Sequence, residues 1–142
     1  MKTPSNIEPE REAVVRMVGD HGMLPLIVRW TFVKIFGYTV RLHLLLRTDD
    51  DRALHDHPWW FVSILLSGGY WEHTPQGRFW RRPGSVLFRG AAFSHRIELE
   101  RPAVSLVICG PRKRDWGFWC PAGWVEWRRF ITGNGCGEAG KD

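Results

Sequence analysis

Residues 54–61, LHDHPWWF, decide the reading of this chain, because they place two imidazoles one residue apart at the start of an apolar strand. Alternate side chains of an extended chain point to the same side. Pro58 favours an extended conformation at His57, since the residue before a proline is disfavoured in the helical region. His55 and His57 are therefore expected to project from one face, close enough to share a metal ion. Neutral imidazole is the commonest metal-binding side chain.

A third histidine follows in a second predicted strand. The first two alone are equally compatible with partly exposed loop residues, so this strand decides between the alternatives. Residues 93–100, FSHRIELE, alternate between apolar and polar side chains, which predicts a half-buried strand. The apolar residues at positions 93, 97 and 99 put His95 on the inward face. A buried imidazole needs a partner, either a metal ion shared with the other two rings or a backbone carbonyl.

The composition indicates one folded domain. The chain has 142 residues, of which 44% are hydrophobic, and this is enough for a packed core. It contains nine tryptophans, 15 glycines and nine prolines, and helix signals are few, so we expect many short strands. No segment reaches the ~20 apolar residues of a membrane-spanning helix. The first residues also lack the apolar stretch of a signal peptide.

The pattern of strands and turns predicts an all-β fold. About nine short strands with turns every several residues favour a closed or nearly closed antiparallel barrel. Gly68-Gly69 is typical of a hairpin turn, so the strand after it is expected to pair with the strand before it. The sequence contains neither an internal repeat nor a linker. We therefore assign residues 26–131 to a single barrel domain.

Both ends of the chain are predicted to lie outside this barrel. Residues 1–25 form an N-terminal extension with one short helix over residues 8–19, where Pro9 suits a first helical position and acidic side chains favour the start. Residues 132–142 are glycine-rich and are expected to form a disordered tail.

Strand parity predicts the walls of a pocket around the histidines. Counting from His57, alternate residues from position 59 face inward. In residues 38–47 the polar side chains share the side opposite the leucines, and that side is either solvent or the wall of a polar pocket. The predicted pocket residues are Arg41, His43, Trp59, Phe61, Ser63 and Phe93.

The net charge of +5 permits an anionic partner, either a small carboxylated or phosphorylated molecule or a nucleic acid. The basic residues occur in short groups, which favours solvated loops over a nucleic-acid surface. Arg41 or Arg89 is a candidate to bind a substrate carboxylate or phosphate, because a guanidinium can do so through two parallel hydrogen bonds. The alternative for both is an ordinary surface arginine.

The three cysteines, Cys109, Cys120 and Cys136, include no C-x-x-C pair. Their odd number argues against a disulfide framework and against a zinc knuckle. Cys109 lies in an apolar run and is expected to be a small core residue. Together these observations predict a cytoplasmic protein.

The segment from Trp116 to Trp127 is rich in tryptophan, and two interpretations are open. Large aromatic side chains dominate cores and interfaces, so we favour core packing plus a homodimer face. The other interpretation is stacking on a base or a sugar.

At this point the chain resembles a cupin. That family has a first motif with H-x-H, then a glutamate and a glycine, and a second motif with a P-G turn followed by a histidine. The resemblance covers roughly residues 40–110, and the Trp-rich ending resembles a group of small cupin-like proteins of bacteria and phages. The matching residues are His55, His57 and Gly68 in the first motif, and Pro83, Gly84, Gly90 and His95 in the second.

The resemblance implies a jelly-roll barrel and a divalent transition metal, expected to be Fe(II), on His55, His57 and His95. The family's glutamate falls at an apolar residue here, position 61 or 62. Three histidines alone would still make a facial site, as in some thiol dioxygenases of this family. Otherwise the metal has been lost and only the barrel remains. Candidates for a fourth, oxygen ligand are Glu72 and Asp56, and also Asp50 and Asp51.

The function expected from these residues is that of a metal-dependent small-molecule enzyme. A non-haem iron dioxygenase is the first expectation, and an isomerase with a redox-inert ion is the second. Two alternatives from other classes remain open. One is a non-catalytic barrel that binds an anionic ligand, and the other is a nucleic-acid-associated protein that uses the basic loops and the tryptophans.

Overall fold

The computed structural model describes residues 10–15, 26–48, 53–133 and 135–136. Almost all the regular structure in these residues is extended. The strands are β1 (Glu10–Val15), β2 (Ile27–Ile35), β3 (Tyr38–Leu45), β4 (Leu54–His55), β5 (Phe61–Ser67), β6 (Tyr70–Thr74), β7 (Gly77–Arg81), β8 (Val86–Arg89), β9 (Arg96–Glu98), β10 (Ala103–Cys109), β11 (Gly117–Cys120) and β12 (Gly123–Glu126), and the helix is α1 (Trp127–Thr132).

The strands form three antiparallel sheets. The largest has the order β1-β2-β3-β10-β5-β8, and the two smaller sheets have the orders β7-β6-β9 and β12-β11-β4. An isolated bridge between His55 and His95 connects the two smaller sheets. This is the all-β jelly-roll architecture that the sequence predicts. Within the described residues, no helix is long and apolar enough to cross a membrane.

The core lies between the large sheet and the β7-β6-β9 sheet. On β5 the residues at 61, 63 and 65 are buried, and on β10 every second residue from 103 to 109 is buried. Leu65 and Ala103 pack against Tyr70 of β6 in one cluster. Burial of a leucine side chain stabilises a fold by about 1.5–3 kcal/mol. The predicted inward parity of β5 is confirmed.

The predicted hairpin at Gly68-Gly69 is wrong. β6 pairs with β7 and β9 and not with β5. Both glycines have positive φ, 87° and 77°, and a Cβ on Gly68 would collide with the carbonyl oxygen of Pro102. The two glycines therefore turn the chain sharply from the large sheet into a smaller one. A tight turn residue predicts the bend but not which strands pair beyond it.

The predicted helix over residues 8–19 is also wrong where the structure describes it. Residues 10–15 form β1, which pairs antiparallel to β2, and the rest of that helix lies outside the described residues. The valines in this segment are β-branched and suit a strand, and the edge of β2 supplies partners for the backbone. The helix that the structure does contain, α1, follows β12, where the Glu126 side chain accepts from the backbone N–H groups of Arg128 and Arg129.

The argument against a disulfide is wrong for Cys120 and Cys136, which are bonded with their Cα atoms 5.4 Å apart. An odd number of cysteines requires only one unpaired thiol, and this is the buried Cys109. The disordered tail does not begin at Thr132 as predicted, since that residue ends α1 and the disulfide holds the chain beyond it. Residues 137–142 lie outside the described part. The cytoplasmic location stays a prediction and loses its support from the cysteines, because disulfides are rare in that compartment.

Candidate metal centre

Three histidine side chains meet where β4 lies beside the segment that leads into β9. His55 ends β4, and its N–H donates to the carbonyl of His95 at 2.9 Å, while the N–H of His95 donates back at 3.0 Å. His57 lies two residues further along, and its N–H donates to the carbonyl of Ala91 at 3.0 Å. Backbone hydrogen bonds therefore fix all three residues to the same end of the molecule.

The three rings form a nearly equilateral triangle. The ring centroids of His55 and His57 are 5.1 Å apart, and the centroid of His95 is 4.9 Å from each of the others. One ligand nitrogen from each ring lies within 4.8 Å of the other two. Two nitrogens that bind one ion through bonds of ~2.0–2.1 Å are at most ~4.2 Å apart, so a spacing of up to 4.8 Å leaves at most a small inward shift of the rings before one ion can contact all three. The structure places these histidines in position to hold a metal ion.

The electrostatics of His57 fit a metal ligand. Burial, and then the neighbouring rings of His95 and His55, lower the pKa of His57 well below its ordinary value, so this ring is neutral. Its Nδ1 atom is buried and has no hydrogen-bond partner among the described residues. Neutral imidazole is the form that binds metals, and a buried nitrogen without a partner is unfavourable. A divalent transition metal fits this donor set.

Glu72 holds His95 in place. Its Oε1 accepts from Nδ1 of His95 at 2.8 Å, and its Oε2 accepts from Arg89 Nη2 at 2.7 Å and Arg81 Nε at 2.8 Å. Burial alone would raise the pKa of Glu72, but the hydrogen bonds from His95, Arg89 and Arg81 outweigh it and keep the pKa below its usual range. The carboxylate therefore fixes the tautomer of His95, with Nε2 left for a metal.

This arrangement bears on two predictions. Glu72 is not in the group of three histidines that could hold an ion, and both of its oxygens accept hydrogen bonds from His95, Arg89 and Arg81. Arg89 is likewise unsuited to anchoring a substrate anion, since it makes two hydrogen bonds to Glu72. The predicted oxygen ligands Asp50 and Asp51 lie outside the described residues.

Asp56, the other predicted oxygen ligand, belongs to a separate network. It is completely buried. Its Oδ1 accepts from the N–H of Gly117 at 2.8 Å, and its Oδ2 accepts from the indole N–H groups of Trp124 at 3.0 Å and Trp119 at 3.2 Å. Arg114 also pairs with this carboxylate, at 3.2 Å. Asp56 thus anchors the backbone between the first two histidines to β11 and β12.

No protein-family model matches this sequence, and no curated protein matches it. Solved structures do share its fold. A cupin-2 domain from Rhodospirillum rubrum has a TM-score of 0.57 at 10% identity, over 69% of this chain and 68% of that one. A cupin superfamily protein from Desulfitobacterium hafniense has a TM-score of 0.52 at 13% identity, over 60% and 77%. A DMSP lyase has a TM-score of 0.51 at 18% identity, over 63% and 51%.

This chain has a cupin-like fold. The structural likeness covers 60–69% of this chain. In the candidate metal centre, His55 ends β4, His57 follows that strand and His95 lies just before β9. The predicted fold family is therefore confirmed at the level of the fold.

Two predicted pocket residues lie against the histidines of the cupin-like barrel. The ring centroid of Phe61 is 4.6 Å from that of His57, and the centroid of Phe93 is 5.7 Å from that of His95. Ser63 is buried on the same face of β5. The rings of Phe61 and Phe93 therefore make an apolar wall beside the histidines, and Ser63 adds a buried hydroxyl on β5.

Arg41 and His43 lie on the inner face of the large sheet, which decides between the two alternatives left by the sequence. On the neighbouring strand β10, Val107 lies opposite Arg41 and Ser105 lies opposite His43, and both of these β10 residues are buried. The Arg41 guanidinium lies over the ring of Trp59 at 4.9 Å. The polar side of β3 is therefore an interior wall of the barrel.

Sequence reasoning missed Arg29 and Arg114. Arg29 lies on β2 and donates from Nε to Nε2 of His43 at 3.0 Å, whereas Arg114 donates to the carbonyls of His57 and Ala91 at 3.2 and 3.3 Å. The position of Arg29 in β2 could have been used to predict its face, because alternate residues of a strand share a face. Nothing local distinguishes Arg114 from the solvated members of its basic loop.

Only part of the Trp-rich ending packs as core, since Trp119 and Trp124 are exposed by 50% and 37%. Trp116 and Trp127 stack with centroids 5.7 Å apart, and both pack against a buried cluster that contains Phe118 and Phe130. His73, whose role the sequence left open, pairs with Glu98 at 2.6 Å within the β7-β6-β9 sheet and is not in the histidine triangle.

Proposed function

We propose that this protein is a metal-dependent enzyme that acts on a small molecule inside its cupin-like barrel. The observation that carries the proposal is the triangle of three imidazole donors within 4.8 Å of one another. Nitrogen ligands suit iron(II), nickel, copper, zinc and manganese. We propose Fe(II) as the ion and a dioxygenase as the class of reaction, with an isomerase as the second candidate.

The number of donors supports a catalytic role over a structural one. Structural zinc sites are closed by four protein ligands, whereas catalytic sites keep a position for water or substrate. Among the described residues, the histidines at 55, 57 and 95 form the group that could hold an ion, and no Asp, Glu or Cys joins them. When bound, the metal would supply Lewis acidity and open positions for O2 or a substrate oxygen.

The chain's own residues would prepare this centre. Glu72 holds the Nδ1 proton of His95 and so orients its ring. Phe61 lies against His57 and keeps water from that side of the ring. Asp56 and Arg114 hold the backbone on which the first two histidines lie. Each of these contacts restricts motion of a donor before any ligand arrives, which is what catalysis requires.

Metal content tests the proposal directly. Protein purified without added metal and analysed by plasma mass spectrometry is expected to carry close to one transition-metal ion per chain. The His95→Ala variant is expected to lose it. His73→Ala is the matched control, because His73 is hydrogen-bonded to Glu98 away from the triangle, and it should keep the wild-type content. Equal metal in wild type and His95→Ala would refute the proposal.

Nitric oxide tests for an Fe(II) site with an open position without a known substrate. Nitric oxide binds Fe(II) at positions that O2 would use, and the complex gives an electron paramagnetic resonance signal of spin 3/2. Protein reconstituted with Fe(II) without air is expected to give this signal. Selective retention of zinc or manganese, with no such signal after Fe(II) loading, would favour the isomerase.

A further inference from the structure

A basic cluster lies on the inner face of β2 and β3, defined by Arg29, Arg41 and His43. In the antiparallel pairing, Arg29 is opposite His43 and Arg41 is opposite Thr31. Residues directly opposite in such a pair have side chains on the same face. The face is the interior one, because Ser105 lies across from His43 and is buried.

The guanidinium of Arg41 is incompletely satisfied. Its Nε and Nη1 atoms are buried and have no hydrogen-bond partner among the described residues. The ring of Trp59 covers one face of the group at 4.9 Å, but a cation–π contact leaves the N–H edges unoccupied. A buried charge is unfavourable unless it is paired and hydrogen-bonded, so these donors call for an acceptor.

The neighbouring groups do not supply a negative charge. Burial, followed by the charges of Arg29 and Arg41, lowers the pKa of His43 to about 3, so this ring is neutral. Burial and Arg41 lower the pKa of Arg29 to about 10, which leaves it protonated at neutral pH. Burial raises the pKa of the Cys109 thiol on the same face, so the thiol is neutral too. The cluster carries two positive charges and no acid among the described residues pairs with it.

The basic cluster shares the barrel interior with the histidines. Phe61 contacts His57 and lies opposite Cys109, which lies opposite Thr39 on β3. Arg41 is two residues further along that strand. With strands ~4.8 Å apart and ~3.3 Å per residue, the Cα atoms of Phe61 and Arg41 are separated by roughly 12 Å. A compact molecule can span this distance, since both side chains extend into the interior.

We propose that Arg29 and Arg41 form an anion subsite that holds a carboxylate or phosphate group of a small organic ligand inside the barrel. The aromatic rings of Trp59 and Phe61 would contact the middle of this ligand, and its other end would reach the histidine triangle. Identifying this ligand with the substrate rests on the proposed function, whereas the anion subsite itself requires no metal.

The test uses the full chain after treatment with a chelator, with inorganic phosphate and succinate as probes. Calorimetric titration at constant ionic strength, with chloride as the reference salt, is expected to show saturable binding of at least one probe. Arg41→Met keeps most of the side-chain volume and should weaken that binding by about tenfold or more. Arg101→Met is the matched control, because Arg101 is exposed, and it should bind like the wild type.

The comparison of probes identifies the anionic group, since tighter succinate binding indicates a carboxylate and tighter phosphate binding a phosphate. Binding of neither probe beyond chloride, or unchanged binding by Arg41→Met, would overturn the inference. Arg29→Met provides the same test should Arg41→Met fail to fold. His55→Ala is expected to lose metal and keep anion binding. Metal without anion binding therefore refutes only this inference, and anion binding without metal refutes only the proposed function.

Discussion

Two buried charged clusters lie in the same barrel, and their polar atoms are satisfied to very different degrees. Around Glu72, both carboxylate oxygens accept hydrogen bonds from His95, Arg89 and Arg81. Around Arg41, two guanidinium nitrogens have no partner among the described residues. The polar atoms of the first cluster are paired in the folded protein, whereas those of the second would be paired only with a bound ligand.

This difference distinguishes a cluster that positions a side chain from a cluster that is suited to bind a ligand. A cluster with every group paired contributes rigidity, and removing one member leaves the others buried and uncompensated. A cluster with unpaired donors is held in place by the surrounding fold, and removing its charge removes the unfavourable free energy of burying it. Substitutions in the two clusters should therefore change stability in opposite directions.

The largest effect is expected for Glu72→Ala. Loss of this carboxylate leaves His95, Arg89 and Arg81 without their acceptor, and breaking a buried pair in this way costs about 3–5 kcal/mol. Urea denaturation monitored by tryptophan fluorescence measures the loss, and metal affinity should fall roughly 10–100-fold as well. The control is Glu98→Ala on β9, whose more exposed carboxylate should matter far less. Equal effects of the two variants would show that the buried hydrogen bonds of Glu72 stabilise the fold no more than exposed ones.

A smaller loss is expected for Asp56→Asn. Asp56 is a third buried charge, and like Glu72 it is fully engaged, with donors from Gly117, Trp119, Trp124 and Arg114. An amide keeps one acceptor and turns two donors toward these groups, so about 2 kcal/mol should be lost. The same denaturation experiment measures it. A variant as stable as the wild type would show that engaged buried charges do not always stabilise this fold.

The pH dependence of His43→Gln probes the basic cluster. The unfolded chain protonates His43 near its ordinary pKa of 6.5, whereas the folded protein does so near 3. Because the unfolded state binds this proton first, the wild type loses stability as the pH falls from 6.5 toward 3. Glutamine can accept from Arg29 without titrating, so the variant should lose less between pH 7.5 and pH 5, by on the order of 2 kcal/mol.

Parallel urea titrations at the two pH values, with His73→Gln as the control, measure the His43 effect. The prediction fails if both variants follow the wild-type pH profile, since His43 would then protonate normally in the folded state.

The smallest change, and of opposite sign, is expected for Arg41→Met. The variant removes a buried cation with unpartnered donors and keeps an apolar chain against Trp59. We expect the free energy of unfolding without added anions to rise by up to about 1 kcal/mol. Denaturation in chloride alone measures it. A clear loss of stability would mean that Arg41 has a structural role like that of Glu72.

The sequence predicts the parts of this molecule that depend on local periodicity. Strict alternation in residues 93–100 places His95 inward, and counting alternate residues from His57 gives the buried face of β5, because a strand has a period of two residues. The H-x-H before a proline places His55 and His57 together for the same local reason. The family resemblance then relates the two strands, which no local pattern can do.

The predictions that were wrong concern pairing between segments that are distant in the sequence. Nothing near Gly68 shows that the next strand joins β7 and β9, and nothing near Cys120 shows that Cys136 returns to it. Glu72 was a candidate ligand on sequence, and only the packing of β6 beside β9 reveals it as the partner of His95. The homodimer, the cytoplasmic location and the absence of a nucleic-acid partner stay predictions.

The shortness of β4 has a consequence for the whole chain. With only two residues in that strand, His55 depends on β11, where Phe118 is its ladder partner, and Phe118 in turn stacks on Phe130 of α1 at 3.7 Å. The disulfide from Cys120 to Cys136 connects the end of β11 to the chain that follows α1. Helix α1 and Cys136 thus support the proposed metal centre through β11, and removing them is expected to disorder His55, although they lie more than 70 positions after it.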